Sequence, residues 1–187
     1  MTRKTLLAAA AAALALATGS TPAASHDEHG RGAKRRFKAD LRGFSEVPSV
    51  STEARGKLWL RINKDEDEIA WRLEYQDLQG GITQAHIHLG DHHTTGGISV
   101  WFCNATATPP PTIPTPATCP TAPQGAPPAV LTGTFRSADV AGPGGQLVAA
   151  GELAELIRAI RSGVAYANVH SSLVASGEIR GQIKVDD

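Results

Sequence analysis

Several of the devices by which a protein does chemistry are missing from this chain. No stretch reaches the roughly 20 apolar residues that a membrane-spanning helix requires, so the sequence predicts no transmembrane segment in the mature form. No serine stands in a nucleophile elbow, and no Ser/His/Asp or Cys/His arrangement for covalent catalysis is evident. The glycines of Ala141-Gly142-Pro143-Gly144-Gly145 lack the Lys-Ser/Thr that a phosphate-cradling loop needs, and read as a plain connection. Net charge is missing too, because 18 basic residues balance 18 acidic ones across 187 residues, which argues against a general affinity for nucleic acid. Cysteine is scarce, with only Cys103 and Cys119.

What is present begins with the layout of a secretory leader. Arg3 and Lys4 precede an apolar Ala/Leu run from Leu6 to Ala17, followed by small and turn-forming residues through Ser25. Residues 1–25 are therefore read as a signal peptide, and the protein as secreted or extracytoplasmic. In an oxidising compartment the two cysteines are expected to pair. Cys103–Cys119 would close a loop holding five prolines and little that could form a core, within a Pro-rich segment spanning 104–128. Residues 26–36 carry Arg31, Lys34, Arg35 and Arg36 and read as a flexible basic arm. The rest, 37–187, is long enough for one domain with a real core.

Hydrophobic periodicity in that domain is mostly two. Leu58, Leu60 and Ile62 alternate with polar residues, as do Ile69, Trp71, Leu73 and Tyr75, and the acidic segment 63–68 between them reads as a hairpin connection. Similar runs occur at 37–44, 82–89, 98–102, 130–135, 164–170 and 178–185. The fold class is thus all-β, an antiparallel sandwich or barrel of about eight strands, immunoglobulin-like or similar to copper/zinc superoxide dismutase. One short helix is predicted where Leu153, Leu156, Ile157 and Ile160 fall at helical spacing and Gly163 supplies a stop.

The chemistry-bearing residues are histidines. His86 and His88 are two apart in Ala85-His86-Ile87-His88, so a strand sets both imidazoles on one face with Ile87 opposite. Tyr166, Asn168 and His170 share a face in the segment Tyr166-Ala167-Asn168-Val169-His170. His86, His88 and His170 form a candidate copper or zinc site, since imidazoles suit either ion. The alternative is that the three rings satisfy buried hydrogen bonds. His92 and His93, in a Gly-rich loop, are weaker candidates. If 171–177 closes an antiparallel hairpin, His170 faces Glu178, Asn168 faces Arg180 and Tyr166 faces Gln182. Glu178 is then placed to accept a hydrogen bond from a metal-bound His170; a simple Arg180–Glu178 polar ladder is the competing arrangement.

Glu46-Val47-Pro48-Ser49-Val50, Ala85-His86-Ile87-His88, Tyr166 to Ser171 and Gly177-Glu178-Ile179-Arg180-Gly181-Gln182-Ile183, in that order and spacing, resemble the CHRD (chordin-type) family, and in particular its exported single-domain bacterial members. The resemblance implies an extracellular binding or structural module whose partner is an unidentified protein or cell-envelope ligand. The growth-factor binding of chordin itself is not carried over. A more distant similarity links His86-Ile87-His88-Leu89-Gly90-Asp91 to the copper-binding strand of copper/zinc superoxide dismutases, although no counterpart of their metal-bridging histidine or zinc-binding loop is found. That similarity makes a copper-dependent oxidoreductase the alternative function.

Overall fold

In the computed structural model the residues described are 34–106 and 113–186; the segment read as a leader and most of the expected basic arm lie outside them. Nine strands and one helix follow in order: β1 (Arg36–Arg42), β2 (Arg55–Ile62), β3 (Ile69–Gln76), β4 (Ile82–Leu89), β5 (Ile98–Asn104), β6 (Ala129–Phe135), α1 (Leu153–Arg161), β7 (Ala165–Ser171), β8 (Ile179–Gln182) and β9 (Lys184–Val185). They form one antiparallel sheet in the spatial order β5-β4-β7-β8-β1-β2-β3-β6, with β9 attached to β1. The sheet curls into a nearly closed barrel, so β5 and β6 are its two edges.

Alternation dictates the packing. Phe37, Ala39 and Leu41 of β1, Leu58, Leu60 and Ile62 of β2, and Ile69, Leu73 and Tyr75 of β3 all point inward and are buried. Ala85 and Ile87 of β4 and Ala165, Ala167 and Val169 of β7 do the same on the other side. Each fully buried Leu or Ile contributes about 1.5–3 kcal/mol relative to exposure. Leu153, Leu156, Ile157 and Ile160 bury the apolar stripe of α1 against this core, and Gly163 ends the helix at φ 73°, in the left-handed region that glycine adopts freely.

The run 178–185 does not form the single strand that its alternation suggests. β8 pairs with β7 on one side and with β1 on the other, Arg180 against Arg42, whereas β9 pairs only with β1, matching Val185 to Phe37 and Lys184 to Lys38. The pairing with β7 ends at the buried Ile183, whose N–H still donates to the Ala165 carbonyl at 2.9 Å. β8 also approaches β1 closely, since a Cβ on Gly181 would lie 2.5 Å from the Asp40 carbonyl oxygen. The first strand begins one residue earlier than expected, with Arg36 paired to Arg61 and the Arg35 carbonyl accepting from Ile62 N at 2.8 Å. The end of the basic cluster is therefore sheet rather than free arm.

Cys103 and Cys119 are bonded, closing a loop of sequence separation 16. Within the Pro-rich segment, Ala117 bridges to Cys103 along the free edge of β5, Asn104 N donates to its carbonyl at 2.8 Å, and Tyr75 Oη donates to Pro120 O at 2.6 Å. No helix among the described residues is long and apolar enough to cross a membrane.

Candidate metal centre

With Ala85, Ile87, Ala167 and Val169 turned inward, the intervening residues of β4 and β7 face out of the barrel. β4 and β7 pair so that His86 is opposite Asn168, His88 opposite Tyr166 and Gln84 opposite His170. His170 is thereby the diagonal neighbour of His86. Their ring centroids lie 5.1 Å apart, with 5.4 Å between His86 and His88 and 6.1 Å between His88 and His170. One ligating nitrogen from each of the three falls within 4.8 Å of the others. Three imidazole nitrogens this near one another could hold one ion, to which imidazole makes bonds of about 2.0–2.1 Å in the case of zinc. Register shifts between β4 and β5 at Ala85/His86 and at Ile87/His88 mark bulges, a usual device for re-aiming side chains.

Loops cover the outward face, and all three rings are buried. His88 Nδ1 is 2.9 Å from the Gly96 carbonyl and His170 Nδ1 is 2.9 Å from that of Ala175. A carbonyl only accepts, so Nδ1 carries the hydrogen in both rings and Nε2 holds the lone pair. Neither Nε2 has a hydrogen-bond partner, nor does either nitrogen of His86. Burial first, and then the nearby His170 and His88, push His86 down to about 2. Burial pushes His88 down to about 4 against the pull of its Gly96 hydrogen bond, and lowers His170 as well. At neutral pH all three are uncharged imidazoles, the form that ligates metal.

The surrounding side chains fix the cover. Tyr166 stacks on His88 with centroids 4.9 Å apart and planes 3° from parallel, and the Arg180 guanidinium lies 3.5 Å from the Tyr166 ring centroid. Arg180 donates to the carbonyls of Thr94 at 2.7 Å and Asp91 at 2.9 Å, and Gln182 to that of Gly90 at 2.9 Å, so the loop 90–97 is clamped over the histidines. Trp101, opposite His86 in the register, meets its ring edge-on at 4.1 Å. Asn168 donates to buried Glu46 at 2.7 Å. Gly177 is held at φ 125°, where a Cβ would come within 2.5 Å of Asn168 Oδ1 and 2.7 Å of Glu46 Oε1.

The hairpin register read from the sequence recurs here, with Tyr166 against Gln182 and Asn168 against Arg180. The hydrogen bond from His170 to Glu178 does not. Ala175, in the tight connection, supplies the acceptor instead, while Glu178 Oε1 accepts from Thr52 Oγ1 and from Gln79 N, each at 2.8 Å. Nor does Arg180 pair with Glu178, because it reaches across to the 90–97 loop. His92 and His93 are exposed and stand apart from the three-histidine group.

Sequence reasoning missed Trp101 and Glu46 as neighbours of the site. The pairing of β5 with β4 brings Trp101 there, and a loop 122 residues away from Asn168 brings Glu46. The orienting carbonyls of Gly96 and Ala175 are backbone atoms and leave no side-chain signal.

No curated protein and no solved structure matches the chain. A family model described as the CHRD domain matches residues 37–183, from β1 to the residue between β8 and β9. The match takes in the strands from β1, bar Arg36, to β8 and every residue of the histidine cluster, and the chain therefore belongs to the CHRD domain family.

Proposed function

We propose that this CHRD domain is an extracytoplasmic binding module that holds one copper or zinc ion through His86, His88 and His170. The observation that carries the reading is the pair of buried Nε2 lone pairs on His88 and His170, left without donors by rings whose Nδ1–H groups are both committed to backbone carbonyls. A buried acceptor without a donor costs about 1–3 kcal/mol, and a bound cation removes that cost. The carbonyl contacts supply the outer hydrogen bonds that ligating histidines use to fix their tautomer. Export is supported by the Cys103–Cys119 bond, a feature of oxidising compartments. What the module binds besides the ion would be a protein or a component of the cell envelope.

A second reading, a copper-dependent oxidoreductase, is favoured by one feature. No fourth side-chain donor joins the three histidines among the described residues, and three protein ligands with an open position is the usual form of a catalytic ion. Burial of the three rings under the 90–97 loop favours the non-catalytic module.

The test is metal content of the exported protein together with a titration followed by tryptophan fluorescence. Trp101 touches His86, so Cu(II) is expected to quench emission with a one-to-one end point and Zn(II) to compete for the same site. His88→Ala and His170→Ala should each weaken uptake by at least about 100-fold. Failure to retain either ion after reconstitution would sink the site. Turnover of superoxide or peroxide by the copper-loaded protein, lost in the same variants, would move the assignment to the enzyme.

A further inference from the structure

The second chemically distinctive surface lies on the opposite flank of the barrel, on the outer face of β1, β2 and β3. Alternation turns Arg36, Lys38 and Arg42 of β1, Arg55, Lys57 and Arg61 of β2, and Arg72 of β3 outward, and all seven are exposed. The register stacks them in rows, with Arg36 beside Arg61, Arg42 beside Arg55, and Trp59 between Lys38 and Arg72. Like charges set directly opposite each other, as in the Arg36/Arg61 and Arg42/Arg55 pairs, destabilise a sheet. Carboxylates take up part of the charge, in the ion pairs Lys38–Asp186, Arg55–Asp77 and Arg72–Glu74, and Asp40, also exposed on this face, stands opposite Lys57, which has Glu74 on its other side. Arg36, Arg42, Lys57 and Arg61 form no ion pair among the described residues. The whole chain is neutral, and yet this one face carries a surplus of cations.

The face is also furrowed. Three shallow depressions of about 420, 330 and 290 Å³ run in series along β2. The first shares Arg36, Arg61 and Ala70 with the second, and the second shares Trp59 with the third. Half-buried Trp59 thus forms the floor where two depressions meet, with the Arg72 guanidinium 6.0 Å from its ring centroid. Along each strand, outward residues recur every 6–7 Å or so. Cations at that repeat, interrupted by Asp40 on β1 and by Trp59 on β2, suit a linear polymer with negative charges along its length and an apolar ring face to set against the indole.

We infer that this furrow binds an acidic polysaccharide, with carboxylates on the Arg/Lys rows and one sugar ring on Trp59. The choice of a glycan over other polyanions rests on the extracytoplasmic reading above and on the single aromatic floor. Single-stranded nucleic acid is usually held by several stacking platforms.

The full exported chain, disulfide intact and treated with chelator, would be titrated with sodium alginate, a polyuronate, at low and high salt. Binding is expected at low salt and should weaken steeply as salt rises. Lys57→Glu/Arg61→Glu should weaken it by about tenfold or more, because reversal adds repulsion to the lost attraction. Trp59→Ala should weaken it several-fold without changing the salt dependence. These positions are exposed or half-buried, and thermal melts would show that the variants fold. Neutral dextran should not bind. Absence of alginate binding, equal binding by the charge-reversed variant, or tighter binding of DNA or of anionic vesicles than of alginate would each overturn the inference. Chelator treatment keeps this outcome independent of the metal site, whose failure would leave alginate binding intact.

Discussion

Replacing His86 with leucine is expected to stabilise the metal-free protein by about 2 kcal/mol while abolishing metal uptake. His86 is fully buried and neither ring nitrogen has a hydrogen-bond partner. Burying an unpartnered polar group costs about 1–3 kcal/mol, and leucine presents a side chain of similar size with nothing to satisfy. The wall around it is apolar on one side, where Trp101 packs, so the substitution needs little rearrangement. A histidine kept for the fold behaves in the opposite way, because its loss removes a satisfied hydrogen bond and destabilises. Urea denaturation of the chelator-treated variant, with metal analysis of the reconstituted one, separates the two cases. A stability loss in His86→Leu would assign the ring a structural role and take His86 out of the ligand set.

Glu46→Gln should produce the other large effect, and its sign depends on pH. Burial pushes the Glu46 carboxyl up to about 7, against the pull of the Asn168 hydrogen bond and the Arg180 charge. In the unfolded chain the same group titrates near 4.5. Between these values the folded state holds a proton that the unfolded state has released, so this residue's contribution to stability falls as pH rises through the window and stays low above it. Glutamine keeps the acceptor for Asn168 and removes the ionisation. At about pH 8 the variant should be more stable than the parent by about 3 kcal/mol, and near pH 4 the two should be equal. The difference between the two profiles is the quantity to read, because the histidines act in the reverse direction. Their depressed pKa values make stability fall as the pH drops below 6.5, equally in both proteins. A flat difference across the range would mean that Glu46 is ionised in the fold and neutralised by Arg180.

Much of the barrel was legible because period-two alternation is a local property. The spacing of Leu58, Leu60 and Ile62 alone places β2, and the Leu153 to Ile160 stripe places α1. The hairpin register of β7 against β8 could also be inferred, since few residues separate them. Contacts set by strand order were out of reach. Nothing local to His170 says that β7 lies beside β4 rather than at an edge, and that adjacency is what brings it to His86. The misassigned partner of His170 has a similar origin. Cross-strand position made Glu178 the natural acceptor, but a backbone carbonyl in the intervening turn was closer, and carbonyls are the same in every sequence. The basic face was hidden differently, because a balanced total charge conceals how the charges are distributed.

The unclosed seam of the barrel has a consequence for how copies of the protein meet. A strand with free N–H and C=O groups is a template on which another chain can grow a sheet, and a barrel open between β5 and β6 has two such strands. At β5 that template is already occupied. The Pro-rich segment lies along it, held at Ala117 and Asn104 and staked by Cys119, and its prolines have no N–H to offer the next strand. The crosslink therefore holds a cover on this edge as well as bracing the loop. Reduction is expected to loosen that cover, and self-association of the reduced protein, read by light scattering, is the outcome that would show it.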